Sequence, residues 1–144
     1  MIPNPPGASQ SDTYLLQQIS SASPEQLCVM LLEGAERFLL QAISATKAGN
    51  IEEKTRHVNR VSAIIEELMI QVDDSGENEL AINLSRIYEW WMNQLFEGSR
   101  SNNFQKFEMI FSQVDDMKNT WMQVVHKAQQ APPPMGGLGA ELMG

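Results

Sequence analysis

Apolar residues recur at helical spacing through four stretches of the chain, each opened by a capping residue and closed by glycine or proline. The first opens on Ser23-Pro24-Glu25-Gln26. A serine oxygen can accept from the first free N–H groups of a helix, proline needs no N–H at the first helical position, and Gln26 completes a capping box. Leu27, Leu31, Phe38 and Ala42 form the stripe, flanked by Met30, Leu39 and Ile43, and Gly49 supplies the stop. The second runs from Asn50, an N-cap paired with Glu53, through Ile51, Val58, Val61, Ile65, Leu68 and Val72 to the acidic turn at Asp73-Asp74-Ser75-Gly76. The third carries Leu80, Leu84, Ile87, Trp91 and Leu95 and stops at Gly98. The fourth follows Asn102-Asn103 with Phe107, Ile110, Val114, Met117, Trp121 and Val124 and stops before Pro132. The spacing predicts helices over 24–48, 51–73, 79–97 and 104–130. Connections of a few residues make sequential helices antiparallel, and no stretch alternates with the period of a strand. The expected fold is all-α, an antiparallel up-and-down four-helix bundle.

The two ends read differently. Residues 1–13 hold three prolines, a glycine and scattered polar residues without an apolar period, so a flexible N-terminus is expected. Tyr14-Leu15-Leu16-Gln17-Gln18-Ile19 then places apolar side chains ahead of the Ser23 cap without a stable helical context, and these need a surface to rest on. They are read as a short cap segment on a helical domain spanning 14–130. Residues 131–144, APPPMGGLGAELMG, cannot continue a helix and are read as a disordered tail.

Composition narrows the class. The chain has 144 residues, of which 42% are hydrophobic and 19% charged, enough for one domain with its own core. A net charge of -8 disfavours nucleic acid and anionic membranes as partners. Neither an apolar run long enough to insert in a membrane nor the pattern of a signal peptide is present, which leads to the expectation of a cytoplasmic protein. The single Cys28 forms no intrachain disulfide.

Catalysis and metal binding find no support. A di-iron bundle needs Glu-x-x-His on two helices, whereas Lys54 and Gln123 precede His57 and His126 at that spacing. The oxygens of residues 73–79 miss the alternate-position pattern of a calcium loop and are read as a solvated turn. His57, beside Arg56 and Arg60, is read as a surface residue, and Cys28 as a packed small residue. No phosphate-cradling loop or nucleophile motif occurs. No enzyme and no cofactor are expected.

What the sequence holds in excess is apolar width. The second and third predicted helices carry more than the roughly 100° stripe that a bundle helix needs: Ile64 and Met69 widen one, Ile82, Tyr88 and Met92 the other, and Trp90 and Trp91 point about 100° apart. Rimmed by polar residues, such surplus marks a groove for a partner helix. The expected groove residues are Ile64, Leu68, Met69, Ile82, Tyr88, Trp91 and Met92, with Tyr14 and Ile19 as a removable cover. Nine methionines suit an adaptable binding surface. The alternative use of the same surface is self-association into a homodimer.

Several of these stretches resemble one family. Tyr14 lies nine residues before Ser23; Ala22-Ser23-Pro24-Glu25-Gln26-Leu27 runs into Met30-Leu31-Leu32-Glu33-Gly34-Ala35; Ile64-Ile65-Glu66-Glu67-Leu68-Met69 and Asn83-Leu84-Ser85-Arg86-Ile87-Tyr88 follow; Trp121 comes late. In order and spacing the chain is similar to the flagellar secretion chaperones, the FliS family, over residues 14–130. It departs at Leu32, where the family often has an aromatic, and at Trp90-Trp91, where a tyrosine-rich pair is more usual. The resemblance implies a chaperone that holds the C-terminal segment of flagellin, prevents premature polymerisation and delivers it to the type III export apparatus, with the export-gate component as a further partner. It also implies that the segment containing Tyr14 and Ile19 lies on the groove until flagellin arrives. A relative that binds another axial or regulatory flagellar protein is the alternative within the same fold.

Overall fold

The computed structural model describes residues 10–74, 76 and 78–130. Five helices follow one another: α1 (Gln10–Ser21), α2 (Pro24–Lys47), α3 (Ile51–Asp74), α4 (Glu79–Arg100) and α5 (Phe104–Gln130). The all-helical expectation is met, with no strand among the described residues. The tail expected over residues 131–144 and the first nine residues of the N-terminus lie outside the described residues.

Local sequence explains where the helices start. At α2 the Gln26 N–H donates to Ser23 Oγ (3.1 Å) while Gln26 Oε1 accepts from the Ser23 N–H (2.8 Å), so two otherwise orphaned donors are satisfied reciprocally. Asn50 Oδ1 accepts from the Glu53 N–H at the start of α3 (3.1 Å), and Asn78 Oδ1 from the Ala81 N–H at the start of α4 (2.8 Å). Gly49, with φ of 72°, closes α2 in the left-handed region.

The C-terminal end of α4 differs from expectation. Gly98 does not stop the helix, which continues to Arg100; Asn102, with φ of 52°, takes the left-handed position instead. The reason is tertiary. Gly98 is buried where a Cβ would lie 3.0 Å from Lys106 Cβ, 3.1 Å from Phe107 Cε1 and 3.2 Å from the Asn103 carbonyl oxygen, so the glycine lets α4 and α5 approach closely.

The segment before Ser23 also differs. In place of apolar side chains without a stable helical context, α1 is a helix of twelve residues whose start, at Gln10, falls inside the stretch expected to be flexible. Asp12 in the first turn complements the helix dipole, and Ser21 Oγ donates back to the Gln17 carbonyl (2.9 Å).

Helices α2 to α5 pack as a closed ring, α2 against α3 and α5, and α4 against α3 and α5. Cross-contacts show that each adjacent pair runs antiparallel. Cys28, early in α2, meets Gln71, late in α3; Lys54, early in α3, meets Ser99, late in α4; Lys47, at the end of α2, lies over the Phe104 ring at the start of α5. One core fills the ring, built on Leu32, Leu39, Val61, Ile65, Leu95, Phe107 and Ile110 with the aromatic pair Tyr88 and Trp91. Lys54 is buried with them, its ammonium donating to the Ser99 carbonyl and to Asn102 Oδ1, both at 2.6 Å, and so ties the end of α4 to α3.

Candidate partner-binding surface

The expected groove residues fall into three groups. Leu68, Tyr88 and Trp91 face inward and belong to the core. Tyr88 is 1% exposed and Trp91 0%, whereas their chain neighbours Ile87 and Trp90 are 37% and 38% exposed. The inward stripe keeps the expected Trp91 and Leu95 but takes Tyr88 in place of Ile87, and hydrogen bonds show why. Trp91 Nε1 donates to Gln113 Oε1 (2.8 Å) and the Tyr88 hydroxyl lies 3.7 Å from Met117 Sδ, so both polar tips find partners on α5 and both rings can be buried, packed against each other at 5.4 Å between centroids. Burial also pushes the Tyr88 hydroxyl pKa up.

The second group is half-buried at the edges of the ring. Ile64 lies on the α2 side of α3, next to Gly34, while Met69 and Met92 pack against the core, Met92 Sδ accepting from Ser62 Oγ at 3.5 Å across the α3–α4 seam. Ile64 is therefore not brought together with Met92. The third group is exposed: Ile82 on α4 and Tyr14 on α1. Tyr14 is 62% exposed, its hydroxyl within 3.4 Å of Gln18 Nε2 on its own helix, and covers no groove here. Ile19 belongs to α1, but its side chain lies outside the described residues.

Several exposed apolar side chains lie along α4 and its α5 edge. Leu80, Ile87 and Gln94 are seven residues apart and share one face. Gln94 Oε1 accepts from Lys106 Nζ of α5 (2.9 Å), which fixes that face toward α5. Leu80 and Ile87 are exposed there, Trp90 stands beside them, and Met109 and Val124 are exposed on α5. At the open end of this edge is an apolar cavity of about 200 Å³ walled by Leu68, Leu80, Leu84, Tyr88, Trp121 and Cys28. Sequence reasoning assigns Leu80, Ile87 and Val124 to the buried stripe; for Ile87 the signal that could have moved it is the Tyr88 and Trp91 pair, whose bulk turned inward carries the chain neighbour outward.

A second, open cleft of about 680 Å³ lies where the end of α1 meets α2 and α5, lined among others by Gln18, Met30, Glu33, Met122 and His126. None of this holds a reactive constellation. Cys28 is half-buried, its Sγ donating to Gln71 Oε1 (3.3 Å), and burial, followed by the Glu25 charge, raises its thiol pKa, the opposite of a nucleophile. His57 is not the solvated residue expected: its ring is half-buried against Phe38 and Nε2 lies 3.3 Å from Glu53 Oε2. No group of acidic, histidine or cysteine side chains among the described residues could hold a metal ion, and no described helix is long and apolar enough to cross a membrane.

An all-helical ring with surplus apolar surface on one helix fits many proteins, and comparison decides among them. The family model described as flagellar protein FliS matches residues 7–128, which includes all four ring helices almost to their end. The chain belongs to the FliS family. Its relatives include the flagellar secretion chaperone FliS of Vibrio cholerae, 29% identical over 129 residues that cover 88% of each chain. The flagellar secretion chaperone FliSB of Pseudomonas aeruginosa is 30% identical over 109 residues, 76% of this chain and 86% of its own, and the FliS of Salmonella typhimurium is 29% identical over 111 residues, 76% and 82% respectively. For a member of the FliS family, a family of chaperones, the exposed apolar side chains of α4 are the feature to interpret.

Proposed function

We propose that this chain is a cytoplasmic export chaperone that binds the C-terminal segment of flagellin, keeps it from polymerising and hands it to the flagellar type III export apparatus, whose gate component is a further partner. The bundle is read as an antiparallel up-and-down four-helix scaffold with α1 as a movable cap. One observation carries the reading: in a member of a chaperone family, α4 presents Leu80, Ile87 and Trp90 to solvent and α5, packed against it, presents Met109 and Val124, exposed apolar side chains of the kind that receive an amphipathic helix. The client is proposed to lie along α4, over that face and against Ile82, Met92 and Met69 on the α3 side; Ile64 marks its outer limit. Leu68, Tyr88 and Trp91 support the seat from within the core. Tyr14 and Ile19 are proposed to cover part of it when α1 closes down.

Sedimentation with a flagellin C-terminal peptide tests this. A monomer that becomes a one-to-one complex is expected, and Trp90→Ala and Ile87→Asp, shown to be folded, should each weaken it by about 2 kcal/mol if they are interface anchors. A dimer indifferent to the peptide would instead favour the second reading, a self-associating bundle that buries the same face against a second copy. Folded variants at Trp90, Ile87 and Met92 that bind the peptide as tightly as the parent would place the client elsewhere.

A further inference from the structure

The seam between α2 and α3, on the far edge of α3 from α4, carries groups that the client reading leaves unused. Phe38 sits half-buried in it, the His57 ring stacked at 6.3 Å between centroids and the Arg60 guanidinium 5.3 Å from the ring centroid. Four residues earlier on α2, Gly34 is buried, and a Cβ there would lie 3.3 Å from Ile64 Cδ1 and 3.7 Å from Arg37 Nη2. The Arg37 guanidinium therefore folds back over the glycine toward Ile64. Arg37 reaches the level of Gly34 and Ile64, while Arg60 sits at the level of Phe38. These levels are four residues apart on each helix, a rise of about 6 Å. Two exposed guanidinium groups thus rim one half-buried apolar floor of Phe38 and Ile64.

Neither guanidinium is held in an ion pair among the described residues. Glu53 is taken by Arg56 and His57, Arg100 pairs with Glu97, and Lys118 with Glu36 and Asp115. Among the described residues no carboxylate comes within ion-pair distance of Arg37 or Arg60. In a chain with 18 acidic residues and a net charge of -8, two neighbouring arginines with no ion pair among the described residues are open to carboxylates from outside. A guanidinium offers a planar fork that matches a carboxylate, and a spacing of one helical turn matches carboxylates four residues apart on a partner helix. The apolar floor between them selects a peptide over a small anion, which would use the guanidinium groups alone.

We propose that the α2–α3 seam docks an acidic amphipathic helix of a partner protein, its carboxylates on Arg37 and Arg60 and its apolar side chains on Phe38 and Ile64. The site meets the proposed client surface only at Ile64, its outer limit, and does not depend on the client reading. The test uses the full chain and two labelled synthetic helical peptides with the same leucine stripe, one with glutamates four residues apart and one with glutamines in their place, followed by fluorescence anisotropy. The glutamate peptide should bind at least roughly tenfold tighter, and this preference should shrink as salt rises. Arg37→Glu with Arg60→Glu should remove the preference, as should the gentler Arg37→Gln with Arg60→Gln, while Arg100→Glu should leave it intact. The flagellin C-terminal peptide is titrated in parallel, and its affinity should be unchanged by the double variants. Equal binding of the two labelled peptides would overturn the proposal. So would an unchanged preference in the folded double variants, saturable binding of inorganic phosphate with no peptide preference, or loss of both peptides to the same degree.

Discussion

Two buried glycines, one at the α2–α3 seam and one at the α4–α5 seam, give alanine substitutions of opposite sign. In a helix interior, alanine is favoured over glycine by about 1 kcal/mol, because the unfolded chain loses less freedom on folding. At Gly34 the new methyl meets one tight neighbour, Ile64 Cδ1 at 3.3 Å, the far end of a side chain that is only half-buried and can move by a few tenths of an ångström. Most of the propensity gain should survive, so Gly34→Ala should stabilise by up to about 1 kcal/mol. At Gly98 the methyl meets a side-chain Cβ at 3.0 Å, a buried phenylalanine ring at 3.1 Å and a carbonyl oxygen at 3.2 Å. None of these is a free end, so α4 and α5 must separate. Overpacking of this kind costs about 1 to 3 kcal/mol, and the propensity gain is smaller this close to the helix end. The net for Gly98→Ala should be a loss of about 1 to 2 kcal/mol, or roughly 3 to 6 °C in melting temperature for a chain of this size. Urea denaturation followed by circular dichroism reads both. A Gly98→Ala variant as stable as the parent would show that the close approach of α4 and α5 does not explain that glycine, and a Gly34→Ala variant losing more than about 1 kcal/mol would show that Ile64 does not yield to the new methyl.

Three further outcomes are expected. Lys54→Met should cost about 1 to 3 kcal/mol, since the Ser99 carbonyl and Asn102 Oδ1 lose their donor, and hydrogen exchange should rise at the end of α4. Trp91→Ala should cost about 3 to 5 kcal/mol by cavity formation, and Trp121→Ala less, because Trp121 is only half-buried; equal losses in chemical denaturation would contradict that placement. Burial raises the pKa of both Cys28 and Tyr88 above their ordinary values, so both groups favour the folded state while protonated. That contribution is complete below the ordinary thiol range and is lost as pH climbs through it and then through the phenol range, so stability should fall on the alkaline side, and less so in Cys28→Ser. A flat stability profile there would contradict the burial of both groups.

Much of the fold was legible because it is written locally. Ser23, Pro24 and Gln26 satisfy orphan N–H groups within three residues of one another, so the start of α2 needs no knowledge of its neighbours. The same holds for Asn50, and for the apolar stripes that reappear in the core as Val58, Val61, Ile65 and Leu68 or Phe107, Ile110 and Val114. Gly98 is misleading for the complementary reason. A glycine near a helix end looks like a stop, and only Phe107 and Lys106, brought in from the next helix, show it to be a contact point. Helix α1 is hard to read because its apolar residues, Tyr14, Leu15, Leu16 and Ile19, are bunched among polar ones and its start carries no strong cap; Asp12 alone is a weak signal.

The candidate surface was legible in amount but not in direction. Surplus apolar width on α3 and α4 is expected from composition and spacing; α4 exposes apolar residues, whereas Ile64 and Met69 of α3 are half-buried against the core. Which way the surplus turns depends on partners on the next helix of the ring. Tyr and Trp look like interface anchors because each has an apolar body and a polar tip that expects water. Here Gln113 and Met117 of α5 supply those partners across the α4–α5 seam, which removes the reason for Tyr88 and Trp91 to stay wet. Once two of the largest side chains of α4 point inward, geometry sets the rest: in a closed ring α4 has only α3 and α5 beside it, and residues about 100° from Tyr88 and Trp91 are carried to the rim. Ile87 and Trp90 occupy those positions. The inward aromatic pair and the outward apolar edge are therefore one consequence of sequence, so a substitution that shrinks Trp91 should alter the α4 face as well as stability.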